Sequence, residues 1–302
     1  MIAIEQLVKR YGEVTAVDGL CLALPAGRIH GLLGPNGAGK TTTLRILSTL
    51  TSPTAGTASV AGFDVVKHPL QVKRQLGVVQ QTLNFDPELT ARESLLVHGM
   101  LYGMSRVAIR ARSAELLAFV ELEDAAHRGV STYSGGMKRR LSIARALMHA
   151  PRVILLDEPT VGLDAFARRK VWDLIRRLRD AGSTVVLTTH YIEEVEMLAD
   201  HVAVIDRGRL IADGSPRALI EGVGAIAVDC MYPAGTQVAF FDTREAAAAH
   251  VAAVQVSATI RQANLEDVFL QLTGRHVNPA ATEGVAPHAT GHGRRAARAH
   301  HS

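Results

Sequence analysis

Apolar residues in this chain alternate in some stretches, run together in others and recur at helical spacing elsewhere, and the three patterns predict three kinds of element. Alternation through Ile2-Ala3-Ile4-Glu5-Gln6-Leu7-Val8 and at Leu20, Leu22 and Leu24 predicts strands of an antiparallel layer. The short runs Ile29–Leu33, Leu76–Val79 and Thr184–Thr188 predict buried strands, and the continuous run Val153–Leu156 predicts a central parallel strand covered on both faces. After Lys40, residues Leu44, Ile46, Leu47 and Leu50 keep helical spacing until Pro53 and Gly56 end the element, and a second hairpin-like region follows from Ala58 to Val65.

From Thr90 to about Ala126 the composition turns helical, with Leu95, Leu96, Leu101, Ala114, Leu116, Leu117 and Val120. An interruption at Gly103 predicts at least two helices, read as an inserted subdomain over about 83–150. Met137, Leu141, Ala144 and Met148 form one stripe of a helix running from Met137 to His149, with Pro151 as its stop. Ala167, Val171, Leu174, Ile175 and Leu178 form another, closed by Gly182. A hairpin through Asp206-Arg207-Gly208 and a turn at Asp213-Gly214 close this region near residue 215. Strands at Ala225–Cys230 and Gln237–Phe241 and a last helix carrying Leu265, Val268, Phe269 and Leu272 make 216–275 a small α+β appendage.

Composition narrows the function. With 302 residues, 47% of them hydrophobic, the chain can bury one large core and a smaller one. Its apolar runs are broken well short of the roughly 20 residues that span a bilayer, and the N-terminus lacks a basic-then-apolar leader, so a soluble chain is expected. Cys21 and Cys230 are too few for a disulfide framework, which points to a reducing compartment. The net charge of +4 comes partly from Arg294, Arg295 and Arg298, so no nucleic-acid surface is expected on the folded part. Residues 276–302, rich in Ala, Gly, His and Pro, are expected to be disordered, and the irregular spacing of His288, His292, His300 and His301 fits a solvated tail better than a metal site.

The candidate chemistry sits at the ends of the predicted strands. Gly34-Pro35-Asn36-Gly37-Ala38-Gly39-Lys40-Thr41-Thr42 has the G-x-x-x-x-G-K-T spacing between a strand and a helix. Glycines let backbone N–H groups curl around an anion, and the helix adds its positive end. A polyphosphate fits such a loop, with Lys40 on its outer phosphates and the Thr41 hydroxyl as one oxygen ligand of Mg2+. Asp157 and Glu158 follow the central strand, where adjacent side chains point apart, so Asp157 can face Mg2+ and Glu158 the attacking water, or either can cap the next turn. Ser134 before Gly135 and Gly136 is a helix cap or half of a second anion site. Tyr11 either stacks on a base or simply packs, and Thr189 and His190 stand at the carboxyl end of a buried strand, where ligands bind in open α/β sheets.

Taken in order, these motifs resemble those of the ATP-binding subunits of ABC transporters, over about residues 1–215. Gly34–Thr42 is similar to the Walker A motif, Gln81 to the Q-loop glutamine and Tyr133-Ser134-Gly135-Gly136-Met137 to the LSGGQ signature. Val153–Glu158 is similar to Walker B, Gly162-Leu163-Asp164 to the D-loop, and His190 to the switch histidine. YSGGMKRRL, LTTHY and LEDVF resemble the exporter branch that includes drug-resistance and lipo-oligosaccharide-export ATPases. Tyr133 departs from the usual Leu, Met137 from the frequent Gln, and Ala165 from the frequent proline after the D-loop aspartate.

The resemblance implies an α/β phosphate-loop NTPase core with a mostly parallel sheet, an antiparallel β subdomain and an inserted helical subdomain. It implies a homodimer with ATP held between the Walker A of one copy and Ser134–Met137 of the other. Glu158 is then the catalytic base, His190 the γ-phosphate contact, Gln81 the sensor of Mg2+ and water, Tyr11 the base-stacking residue and Asp164 the D-loop aspartate. Transport requires a separate integral membrane permease, which places this subunit at the cytoplasmic face of the cell membrane. A member acting on ribosomes or DNA would be expected to carry tandem cassettes or a long coiled-coil insertion, and the sequence shows neither.

Overall fold

The computed structural model describes residues 1–233 and 235–274; the expectations for 276–302, including the four histidines, lie outside them. Strands β1 (Ile2–Tyr11) and β2 (Val14–Leu24) pair antiparallel, and β3 (Ile29–Leu33) leads into helix α1 (Lys40–Leu47). Next come β4 (Ala55–Val60), β5 (Phe63–Asp64), α2 (Pro69–Gln75) and β6 (Leu76–Val79). Helices α3 (Ala91–Leu101), α4 (Arg106–Phe119) and α5 (Gly135–Ala146) precede β7 (Val153–Asp157), α6 (Ala165–Asp180), β8 (Thr184–Thr189), α7 (Ile192–Leu198), β9 (His201–Asp206) and β10 (Arg209–Gly214). The last elements are α8 (Pro216–Glu221), β11 (Ile226–Tyr232), β12 (Gly235–Phe241), α9 (Arg244–Ala253), β13 (Ser257–Gln262) and α10 (Leu265–Thr273).

The six-stranded sheet runs β10-β9-β3-β8-β7-β6; β9, β3, β8, β7 and β6 are parallel and only β10 is antiparallel. Successive side chains of a strand point to opposite faces, and β7 divides accordingly. Ile154 and Leu156 join the core under the helices, while Val153 and Leu155 join the core under the four-stranded sheet β2-β1-β4-β5. All six residues of β8 are buried, and each of Val185, Val186 and Leu187 contributes about 1.5–3 kcal/mol by leaving water. This two-sided cover makes the parallel strand ends rigid where they meet the loops.

The predicted elements are present with shifted ends. The helix after Lys40 stops at Leu47; Thr49 takes a positive φ of 60° and Leu50 is 52% exposed, so Leu50 follows the apolar spacing without belonging to the helix. Helix α5 starts immediately after its cap Ser134 and ends at Ala146, short of His149. Asp213 and Gly214 are not a turn: they pair with Ala203 and Val202 in β10. In the C-terminal part, β13 and the alanine-rich α9 carry weak apolar signals and were not expected. They complete a three-stranded sheet β12-β11-β13 with α9 over one face. Helix α10 packs into the large helical core through Leu265, Val268 and Phe269, and Glu196 of α7 accepts a hydrogen bond from the Leu265 N–H at 2.7 Å.

Candidate active site

The carboxyl ends of β3, β7 and β8 lie side by side, and each delivers part of one polar cluster. After β3 the chain bends through Gly39, whose φ of 104° and approach to the Ala16 carbonyl, 2.4 Å from where a Cβ would stand, exclude any side chain. Lys40 opens α1, only 4% exposed, and its ammonium donates to the Gly34 and Pro35 carbonyls at 2.7 and 3.0 Å. Burial lowers the Lys40 pKa, and Glu158 and Asp157 oppose that shift. The loop therefore curls around a held cation, the geometry for receiving phosphate oxygens.

Asp157 is bound from two sides. Its Oδ1 accepts from the Thr41 hydroxyl at 3.0 Å and from the Thr188 hydroxyl at 2.6 Å. Glu158, 7% exposed, adopts φ 47°, a left-handed conformation rare for a residue with a Cβ. Its N–H donates to both the carbonyl and the hydroxyl of Thr188, at 3.1 Å each, which holds the strained residue in place. Gln81 donates through Nε2 to Glu158 Oε2 at 3.2 Å, and His190 Nδ1 lies 3.2 Å from Oε1. Lys40, Thr41, Gln81, Asp157, Glu158 and His190 thus gather in one place, with the two carboxylates facing different neighbours as their adjacency on a strand end predicts.

Among the described residues, no hydrogen bond joins Ser134–Met137, Asp164 or Tyr11 to that cluster. Ser134 caps α5 by accepting from the Met137 N–H at 3.2 Å, and Asp164 caps α6 by accepting from Ala167 at 2.8 Å. Gly136 is required here by packing: a Cβ would stand 2.8 Å from that of Ala167. Tyr133, where leucine is usual, is buried, and its hydroxyl donates to the Ala125 carbonyl at 2.7 Å. Tyr11 is 45% exposed, with Lys9 Nζ 4.9 Å from its ring centre.

Three supporting residues were not foreseen. In the sequence Thr188 reads only as strand, although a hydroxyl in an otherwise apolar run is a visible signal. Glu194 is 1% exposed and accepts from Thr160 at 3.0 Å and Trp172 at 3.2 Å; burial raises its pKa while those bonds oppose the rise. Arg139 donates to the carbonyls of Gln80 and Gln81 at 2.7 and 3.0 Å. Neither Glu194 nor Arg139 stands out on a helix, because nothing local says that a charge will be buried.

Residues 17–161 match the family model described as ABC transporter. The chain is 44% identical over 292 residues to a Nod factor export ATP-binding protein I of Burkholderia orbicola, covering 89% of this chain and 95% of that protein. It is 50% identical over 219 residues to the daunorubicin/doxorubicin resistance ATP-binding protein DrrA of Streptomyces peucetius, covering 72% and 66% respectively. Among solved structures it is similar to the ATP-binding cassette MJ0796 in a dimeric post-hydrolysis state bound to ADP and Pi. That likeness has a TM-score of 0.65 at 29% identity and covers 71% of this chain and 98% of that one. An ATP-binding subunit of an ABC transporter aligns with a TM-score of 0.67 at 26% identity over 74% and 92%. The gathered phosphate loop and carboxylates, the sheet that holds them and these likenesses agree: the chain belongs to the ABC transporter family, as one of its ATP-binding, ATP-hydrolysing subunits.

Proposed function

We propose that this chain hydrolyses ATP as a homodimer and so drives export through an integral membrane permease. The observation that carries the reading is Glu158, held by Gln81 on one oxygen and His190 on the other, while Lys40 and Thr41 stand past the end of β3, on the far side of β8. In this reading ATP lies on Gly34–Thr42, with its base against Tyr11 and its outer phosphates on Lys40. Glu158 takes the proton of the attacking water, Gln81 and His190 orient water and γ-phosphate, and Ser134–Met137 of the other copy closes over the same phosphates. Asp164 sits at the start of α6, on the face where the two copies meet.

Thr41, Asp157 and Gln81 offer hydroxyl, carboxylate and amide oxygens, the hard donor set that suits Mg2+. The 3.0 Å hydrogen bond between Thr41 and Asp157 already brings two of these groups together. When bound, Mg2+ would neutralise developing phosphate charge. Holding the site ready without it falls to Thr188, which fixes both Asp157 and the Glu158 backbone.

Among the described residues no helix is long and apolar enough to cross a membrane; in this reading the permease supplies the translocation path. A groove of about 1090 Å³ between α2, the end of α3, α4 and the end of α5 supports such a partner. Apolar Leu70, Leu101 and Met104 line it together with Lys73 and Arg74, while Arg112 on the same wall is paired with Glu115, which suits a short permease helix with an acidic side chain facing the two α2 cations. This reading places the subunit at the cytoplasmic membrane face and divides the chain into a cassette over 1–215 and an appendage over 216–275. Export, as opposed to import, is supported by relatives named for Nod factor export and daunorubicin/doxorubicin resistance. Co-purification from detergent-solubilised membranes tests the proposal: a polytopic partner that raises the ATPase rate is the expected result, and ribosomes or nucleic acid in its place would overturn it.

A further inference from the structure

We infer that Arg139 is a positioning residue for ATP hydrolysis: from one turn inside α5 it fixes the main chain at Gln80 and Gln81 and so holds the Gln81 amide against Glu158. The inference rests on the assignment of Gln81 and Glu158 to hydrolysis made above.

Arg139 is 3% exposed, an unusual place for a guanidinium without a purpose. Its two terminal nitrogens reach the carbonyls of successive residues, Gln80 at 2.7 Å and Gln81 at 3.0 Å. Those carbonyls lie just past the sheet, where the β6 ladder with β7 stops at Val79 and Leu156. Past the end of the ladder these carbonyls need other donors, and a planar fork holds the two at a fixed separation through two different nitrogens, whereas an ammonium offers one nitrogen on a flexible stem. Burial lowers the Arg139 pKa, and the nearby charges of Glu194 and Asp157 resist that shift, so the arginine stays charged.

The same helix holds the loop at a second point. Arg145 donates to the Asn84 carbonyl at 2.9 Å and lies 4.5 Å over the Phe85 ring. Arg140 secures the other side of α5 through the carbonyls of Val120 and Glu121 at 2.6 and 3.0 Å. Ser134, the cap of α5, is therefore joined through one rigid helix and the Arg139 fork to Gln81, whose side chain meets Glu158 at 3.2 Å. A displacement of the α5 N-terminus carries the Gln81 amide with it. A buried arginine that only satisfied its neighbours would contribute stability without acting through Gln81.

A double-mutant cycle on turnover separates the two. Arg139→Lys keeps the charge but replaces the rigid two-nitrogen fork by a single nitrogen on a shorter, flexible stem; its kcat should fall about tenfold or more while the KM for ATP stays within about threefold. In a Gln81→Ala background, itself slow, Arg139→Lys should cost less than about twofold more, because the interaction it supports is already gone. Full multiplication of the two losses, or a rise in KM with kcat unchanged, would overturn the inference. Wild-type turnover in Gln81→Ala alone would instead remove Gln81 from the mechanism, and the Arg139 role with it, so the two failures are distinguishable. Urea unfolding accompanies each variant; if Arg139→Lys does not unfold cooperatively, Arg139→Gln, which keeps a donor to one carbonyl, takes its place in the same cycle.

Discussion

Glu158 and His190 meet at 3.2 Å, Oε1 to Nδ1, across the ends of two neighbouring parallel strands. With the carboxylate ionised, the contact is a hydrogen bond only when Nδ1 carries a proton, so Glu158 also selects the tautomer of the imidazole. Gln81 holds the other oxygen. Glu158→Gln keeps the shape of this arrangement and removes the proposed base. Turnover should fall by about 10²–10⁴-fold with ATP binding nearly intact, and an ATP-closed dimer should accumulate in size-exclusion runs. Near wild-type turnover in the purified variant would take the base role away from Glu158.

The proposed composite site predicts rescue between two dead proteins. Lys40→Ala should abolish nucleotide binding by its own protomer, and Ser134→Arg should block the anion site offered to the other copy. In a mixed dimer the intact phosphate loop of the Ser134 variant faces the intact signature of the Lys40 variant. One good site then forms beside one doubly broken one, and mixing under exchanging conditions should restore part of the ATPase activity. Heterodimer formation is measured alongside by crosslinking. A proven ATP-closed heterodimer without hydrolysis would argue that Ser134 is a helix cap and nothing more.

In the C-terminal part, Arg261 bridges two carboxylates: Asp229 of β11 at 2.8 Å and Asp267 of α10 at 2.6 Å. Asp267 is 2% exposed and also closes the capping box of α10 with Asn264. Arg261→Leu leaves both acids facing each other. Removing one partner of a fully buried pair costs about 3–5 kcal/mol; with about a third of the Arg261 side chain in solvent, about 2 kcal/mol is expected after screening. Urea unfolding measures it, and a loss below about 0.5 kcal/mol, the range of ordinary surface changes, would show the bridge to be ornamental.

Acid should weaken the fold through His98. Burial, reinforced by the charges of Arg145 and His149, pushes its pKa down to about 4. His149, stacked on Tyr102 at 3.7 Å, is lowered by burial as well, against the opposing hydrogen bond to the Leu76 carbonyl. A histidine whose folded pKa lies below its unfolded value near 6.5 contributes stability that is complete above that value. The contribution is lost as pH falls through the folded value. The free energy of unfolding should therefore decline from pH 6.5 toward pH 4, and His98→Leu should flatten part of that slope. Identical slopes for variant and wild type would refute the assignment.

Local signals in this chain are enough for most of the elements and for the polar groups that the fold gathers at its strand ends. Apolar runs at Val153–Leu156 and Thr184–Thr188 are legible because a strand covered on both faces has no polar side to show. The phosphate loop is legible because its glycines, Lys40 and Thr41 act within one turn of backbone. Helix ends were harder. Leu50 continues an apolar spacing without being in the helix, since Thr49 reverses the chain by a backbone angle that no side-chain pattern records. What tertiary structure alone decided is which distant groups touch. Thr41 meets Asp157 across 116 positions, Gln81 meets Glu158 across 77, and Arg139 reaches back 58 to Gln81. Those contacts depend on the register of parallel strands and on a guanidinium being buried rather than solvated. Both are set by packing between elements, which the sequence encodes only through the whole fold.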